Sequence, residues 1–65
     1  MNKSFFIEKL QNKMLSQSEL AKIMNINKSQ VSRLFSGQRE LKANEVMVLA
    51  SALNVTSQQI LDNIG

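Results

Sequence analysis

The 65-residue chain contains no cysteine, no histidine and no proline. Without cysteine or histidine, the two usual staples of a small domain are excluded: a disulfide framework and a thiolate- or imidazole-bound metal. That matters at this length, because a chain of about 60 residues buries only about 60% of its unfolded surface on folding. Stability must come from helix packing, from capping or from a partner subunit. The same absences remove the commonest acid–base and nucleophilic side chains. The five carboxylates are scattered, with no paired spacing for acid–base work. No enzyme activity, metal or cofactor is expected, and no small-molecule site is evident. No linker or low-complexity segment divides the chain, so residues 1–65 read as a single domain. No apolar run approaches the roughly 18 residues of a membrane span. Phe5-Phe6-Ile7 is broken at once by Glu8 and Lys9, too soon for a signal peptide. The expected location is the cytoplasm.

What is present is helical periodicity throughout, with a hydrophobic fraction of 43% that suffices for a small core. Phe6, Ile7, Leu10 and Met14 recur at three- and four-residue spacing, which predicts a first helix from about residue 4 to 14 with Ser4 as its N-cap. Three later helix starts share one pattern: an apolar residue, a capping residue, Glu or Gln at the third helical position and an apolar residue at the fourth. They are Leu15-Ser16…Glu19-Leu20, Ile26-Asn27…Gln30-Val31 and Val55-Thr56…Gln59-Ile60. Each combines a capping box with a hydrophobic staple, and the cap alone contributes about 1 kcal/mol. They predict helices over Gln17–Met24, Lys28–Phe35 and Ser57 to about Asn63. A further helix, from near Ala43 to Leu53, has the least clear start, because Lys42 is a poor capping residue. Asn25 and Asn54 stand where a positive φ is usual after a helix, and Gly37 follows the third helix. Met14, Met24 and Met47 read as core filler. Phe5 and Phe6 cannot both be buried by one short helix face.

Net charge is +3, and it is unevenly distributed. Residues 13–42 hold Lys13, Lys22, Lys28, Arg33, Arg39 and Lys42 against Glu19 and Glu40. The positive excess therefore lies mid-chain, as a polyanion partner requires. At 100° per residue, Val31, Leu34 and Phe35 cluster on one side of the third helix. Ser29, Ser32, Arg33 and Ser36 lie opposite, with Gln30 flanking and Lys28 at the N-terminal end. That outward face is short, polar and basic. Small serines let a backbone approach, Arg and Lys suit guanine O6 and N7, and Gln suits adenine. The bland alternative is an ordinary amphipathic helix with a solvated face. Two eight-residue helices and a three-residue turn, with Ala21, Asn25 and Val31 at the small, turn and apolar positions, favour a helix-turn-helix.

Leu15-Ser16-Gln17-Ser18-Glu19-Leu20-Ala21, Leu34-Phe35-Ser36-Gly37 and Leu49-Ala50-Ser51-Ala52-Leu53-Asn54-Val55 resemble the phage lambda repressor-like (Cro/repressor, Xre-type) DNA-binding domains. The resemblance covers about residues 5–64 without an evident gap. It implies an all-α, compact five-helix domain with the helix-turn-helix at helices two and three. The implied partner is a double-stranded DNA operator, usually near-palindromic and bound by a homodimer. The resemblance puts Lys28, Ser29, Gln30 and Arg33 on base-reading positions. It puts Gln17, Ser32, Ser36, Arg39 and Lys42 on positions that meet the DNA backbone. Two departures stand out: Asn25 replaces the usual Gly, and Lys28 stands where several phage repressors carry Gln.

Each assignment has a plainer counterpart. Arg33 could pair with Glu40 or touch phosphate only. Lys28 could settle on phosphate, and Gln30 could be occupied in capping Asn27. Ile60, Leu61 and Ile64 could pack inside the chain, though the resemblance favours a dimer interface there. The leading expectation is a transcriptional regulator, a phage- or prophage-type repressor acting by operator occupancy, with no sensor domain. The alternatives are an antitoxin-type autorepressor, and a protein-interaction module that kept the fold without binding DNA. Acidic or apolar residues on the outward face of the third helix would have favoured the module, and none is present.

Overall fold

The computed structural model describes residues 1–64. They form α1 (Lys3–Asn12), α2 (Gln17–Met24), α3 (Lys28–Phe35), α4 (Ala43–Leu53) and α5 (Ser57–Ile64), with no strand among the described residues. All five helices supply side chains to one core. Phe6 of α1, Leu20 of α2, Val31 and Leu34 of α3, Leu49 of α4 and Ile60 of α5 are fully buried. The Phe6 and Phe35 rings stack with centroids 5.8 Å apart, fastening α1 to α3. Phe5 is half-buried and meets Phe6 edge-on at 5.1 Å, while the Lys9 ammonium sits 5.5 Å from the Phe5 ring centre. Phe6 thus takes the core and Phe5 its margin.

The first four helices end in the same way. A residue of positive φ reverses the chain, and the N–H of the next residue returns to a carbonyl five positions earlier. The reversing residues are Met14 (φ 55°), Asn25 (58°), Gly37 (82°) and Asn54 (56°). The returning bonds run from Leu15 to Leu10 (2.9 Å), Ile26 to Ala21 (2.9 Å), Gln38 to Arg33 (2.8 Å) and Val55 to Ala50 (3.0 Å). This is the Schellman arrangement, which satisfies carbonyls that have no helical partner. At Asn25 and Asn54 it matches the expectation from sequence. A Cβ on Gly37 would meet nothing within 4 Å, so only the backbone angle calls for glycine there.

Helix starts follow closely on these reversals. Ser16 Oγ accepts from the Glu19 N–H (3.1 Å) and Glu19 Oε1 accepts from the Ser16 N–H (3.0 Å). Thr56 and Gln59 form the same reciprocal pair at 3.1 and 2.9 Å. At α3 only half of the expected box forms. Asn27 Oδ1 accepts from the Gln30 N–H at 2.9 Å and from the Ser29 hydroxyl at 2.6 Å, but the Gln30 side chain does not return to accept from the Asn27 N–H. At α4 the complementary half forms: the Lys42 N–H donates to Glu45 Oε1 at 3.0 Å. The three staple residues at the fourth helical position, Leu20, Val31 and Ile60, are all fully buried.

Three expectations change. The first helix starts earlier than Ser4, with Asn2 as its cap (Oδ1 to the Phe5 N–H, 3.4 Å). Asn2 also donates its N–H to the Asn63 carbonyl (2.6 Å) and its Nδ2 to Asn63 Oδ1 (3.0 Å), a long-range tie that no local pattern announces. The same helix stops at Asn12, because Leu15 must swing inward to serve both as hook for α1 and as staple for α2. Of the three methionines assigned to the core, only Met24 is buried. Met14 is 89% exposed and Met47 70% exposed.

A bulky residue in the left-handed region costs about 1–2 kcal/mol relative to glycine. Met14 loses no packing on truncation, so Met14→Gly should stabilise the domain by about 1 kcal/mol, roughly 4–8 °C in Tm for a domain of this size. Thermal unfolding followed by circular dichroism checks this. An unchanged or lower Tm would show that the reversal at residue 14 carries no strain.

Candidate nucleic-acid interface

Gln17 is the first residue of α2, and Lys28, Ser29, Ser32 and Arg33 lie on the outward side of α3. The Asn25-Ile26-Asn27 turn holds the two helices so that these five side chains, with Gln38, line one shallow, open depression. None of the six is acidic. Lys28 and Arg33 are exposed, and neither makes an ion pair among the described residues, so both cations remain unneutralised. The expected alternative of an Arg33–Glu40 salt bridge is not what forms. The bridge formed instead joins Arg39 to Glu45. The inner side of α3 is committed to the core through Val31, Leu34 and Phe35, which fixes the rotation of the helix and hence which residues face out.

Gln38 was not anticipated. It follows the Gly37 reversal, and its N–H returns to the Arg33 carbonyl. The other three reversals put an apolar residue at this position (Leu15, Ile26, Val55), where it hooks into the core. Here the residue is Gln, and the helical residue it folds back on is Arg33. A polar residue at the hook position after Gly37 was the available signal that this reversal faces solvent and extends the basic face.

The remaining expected residues fall outside the depression. Gln30 is half-buried beside it. Ser36 donates its hydroxyl to the Arg33 carbonyl at 3.0 Å, spending its proton on its own helix. Lys42 keeps an exposed side chain while its backbone caps α4. Arg39 is engaged within the chain. Its guanidinium grips Glu45 with two bonds, Nη1 to Oε1 at 2.9 Å and Nη2 to Oε2 at 2.8 Å, and Nη1 also reaches the Glu40 carbonyl at 3.4 Å. It therefore fastens the α3–α4 loop to α4 and is not a free phosphate ligand. Sequence spacing does not show this, because Arg39 lies in a loop and meets Glu45 only once the chain has turned into α4.

The helix-five trio divides. Ile60 is fully buried inside the chain as the staple partner of Val55, so it has no surface to offer a second subunit. Ile64 is half-buried against the core. Leu61, at 49% exposed, alone keeps a substantial free face.

The helix-turn-helix family model HTH_3 matches residues 7–60. With the five-helix fold, this places the chain in the lambda repressor-like, Xre-type helix-turn-helix family. A domain of this class binds DNA. The chain is 39% identical over 62 residues to the type II methyltransferase M.Sau96I of Staphylococcus aureus. That alignment takes in 94% of this chain but spans only 14% of the enzyme's length. No solved structure matches the chain. No helix among the described residues is long and apolar enough to cross a membrane.

Hydrogen bonding from Arg39 is the chief cause holding the Glu45 carboxyl below the ordinary glutamate range. Burial opposes the shift, while the Lys42 N–H and the nearby positive charges assist it. The same bonds push the Arg39 guanidinium up. A carboxylate with a lowered folded pKa contributes stability that is fully present above its unfolded value, about 4.3. That stability disappears as pH falls through the lowered folded value. Wild-type Tm should therefore drop below about pH 4 more steeply than that of Glu45→Gln. At pH 7 the variant should already be weaker by roughly 1–2 kcal/mol, more than an exposed pair and less than a fully buried one. Parallel Tm–pH curves for the two proteins would show that the bridge contributes nothing.

Proposed function

We propose that residues 1–65 act as one sequence-specific, duplex-DNA-binding regulator. In this reading it is a phage- or prophage-type repressor that occupies an operator as a dimer in the cytoplasm. The observation that carries it is the depression lined by Gln17, Lys28, Ser29, Ser32, Arg33 and Gln38, a basic, acid-free face made by two helices held at a fixed angle. Lys28 and Arg33 supply donors suited to guanine in the major groove. Gln17, Gln38, Ser32 and the exposed Lys42 suit phosphate and the groove wall. Gln30, free of the capping role, flanks the reading face. Leu61 is the candidate contact for a twofold dimer, which would set two recognition helices about 34–36 Å apart, one turn of DNA.

A second reading draws on the methyltransferase relative. A module of this kind, appended to or encoded beside a DNA-modifying enzyme, would direct or control that enzyme through the same DNA face. Both readings use the same residues and differ in what the bound DNA does next.

Selection of binding sites from random duplex DNA should yield one enriched sequence with half-site symmetry. Affinity for it should fall with salt at a slope of about −0.9 per neutralised phosphate. Arg33→Ala should cost roughly 1–3 kcal/mol on that site and relax preference at one position. An equal loss on every sequence would reduce Arg33 to a phosphate contact, and a flat salt response would overturn the reading. Deleting α5 would remove Ile60 from the core, so the dimer is better tested by Leu61→Arg. Sedimentation should then report a monomer that remains folded, and an unchanged mass would place the interface elsewhere.

A further inference from the structure

Asn27 and Ser29 form an arrangement whose hydrogen-bond polarity is determined. Asn27 Oδ1 accepts from the Gln30 backbone N–H at 2.9 Å, which identifies that atom as the amide oxygen, since an amide nitrogen would set donor against donor. The same oxygen lies 2.6 Å from Ser29 Oγ. An oxygen with no proton can only accept, so the single proton of the Ser29 hydroxyl points at Asn27. What Ser29 turns to the depression is therefore lone pair alone.

We propose that Ser29 presents an acceptor, and only an acceptor, to the base edge it meets, so that this protein requires an exocyclic amino group at that position: adenine N6 or cytosine N4. The inference rests on the reading of α3 as the recognition helix and names what one of its residues selects. In the major groove, adenine and cytosine offer amino donors, whereas guanine offers N7 and O6 and thymine offers O4, all acceptors. An acceptor meeting an acceptor is left unpaired and desolvated, so guanine and thymine are disfavoured there. The neighbouring reading groups have the opposite polarity, since Lys28 and Arg33 carry donors alone. The face thus combines two donors with one acceptor, and a site of mixed polarity follows. Asn27 is a positioning residue: it touches no base and sets the polarity of Ser29 from behind.

The proposal has a further chemical consequence. In a base pair, one amino proton of adenine or cytosine pairs with the opposite base and the other faces the groove. A methyl group on that nitrogen takes the groove-facing place and removes the donor Ser29 needs. A methyl on cytosine C5 leaves it intact. Binding should therefore be sensitive to methylation of the amino nitrogen and tolerant, at this contact, of methylation at carbon.

The test uses the full chain and the site enriched from random DNA. The position assigned to Ser29 is the one whose preference is lost in Ser29→Ala. Wild type should prefer one orientation of the base pair there, with the amino-bearing base, adenine or cytosine, on a fixed strand. Replacing that base by its analogue lacking the amino group, or by its N-methylated form, should weaken binding about three- to tenfold, with no such loss in Ser29→Ala. Asn27→Ala frees the hydroxyl to rotate and should admit the reversed base pair at that one position. Asn27→Asp, whose carboxylate still accepts from Ser29, should keep the original preference. A general loss of stability would move none of these base-specific readouts. Equal loss for the amino-lacking or N-methylated analogue in wild type and Ser29→Ala, or no loss in either, would overturn the proposal while leaving DNA binding intact. Failure to enrich any sequence would instead overturn the functional reading beneath it.

Discussion

A chain that leaves one short helix and enters the next within three or four residues must satisfy two sets of orphan groups almost at once: the last carbonyls behind it and the first amides ahead. This domain meets that demand with one unit used three times: a left-handed residue, an apolar hook and a capping residue. Met14-Leu15-Ser16, Asn25-Ile26-Asn27 and Asn54-Val55-Thr56 are the three copies. The middle residue serves both helices, since its N–H closes the preceding one and its side chain staples the following one. Helix directions, and the burial of Leu20, Val31 and Ile60, follow from that small unit. With no disulfide or metal available, it takes the place of a covalent staple.

The α3–α4 connection departs from the unit, and it is where the fold turns to solvent. Gly37 reverses the chain, but the next residue is Gln38, which lines the basic depression. The loop then needs another anchor, and the Arg39–Glu45 bridge provides it, with Glu45 also capping α4 from the helix side. One carboxylate thereby caps α4, where Lys42 offers no capping side chain, and anchors the loop through Arg39. The α3–α4 connection is thus held by an ion pair together with Leu41, which packs against the core, and the other three by the apolar hook that follows each reversal.

Sequence legibility follows the same division. Features encoded within four or five residues were readable: both Asn reversals, the helix bounds of α2, α3 and α4, and the inward side of α3. Features that depend on residues distant in the chain were not. Asn2 caps α1 locally but is also held by Asn63, sixty-one positions away, and that tie has no signature near Asn2, so Ser4 looked like the cap. Met14 fits the helical period yet lies outside the core, because periodicity reports a face and not whether another helix covers it, while Met47 sits one position off the buried Val46 and reads as core only by its residue type. Arg39 carried the right charge for phosphate, but its partner six residues on was invisible to a reading of helix faces. Gln38 was hidden for the opposite reason, since loop residues have no period to read.

The tie between Asn2 and Asn63 also bears on how such a domain can be used. Its N–H to carbonyl bond and its side-chain pair bring the two ends of the described fold to one point. A fold entered and left at a single point behaves like a bead on a stem. It can be set into or onto a larger polypeptide while its own helices keep their places. A relative in which the matching stretch makes up 14% of a much longer enzyme is the kind of arrangement that such a joint permits.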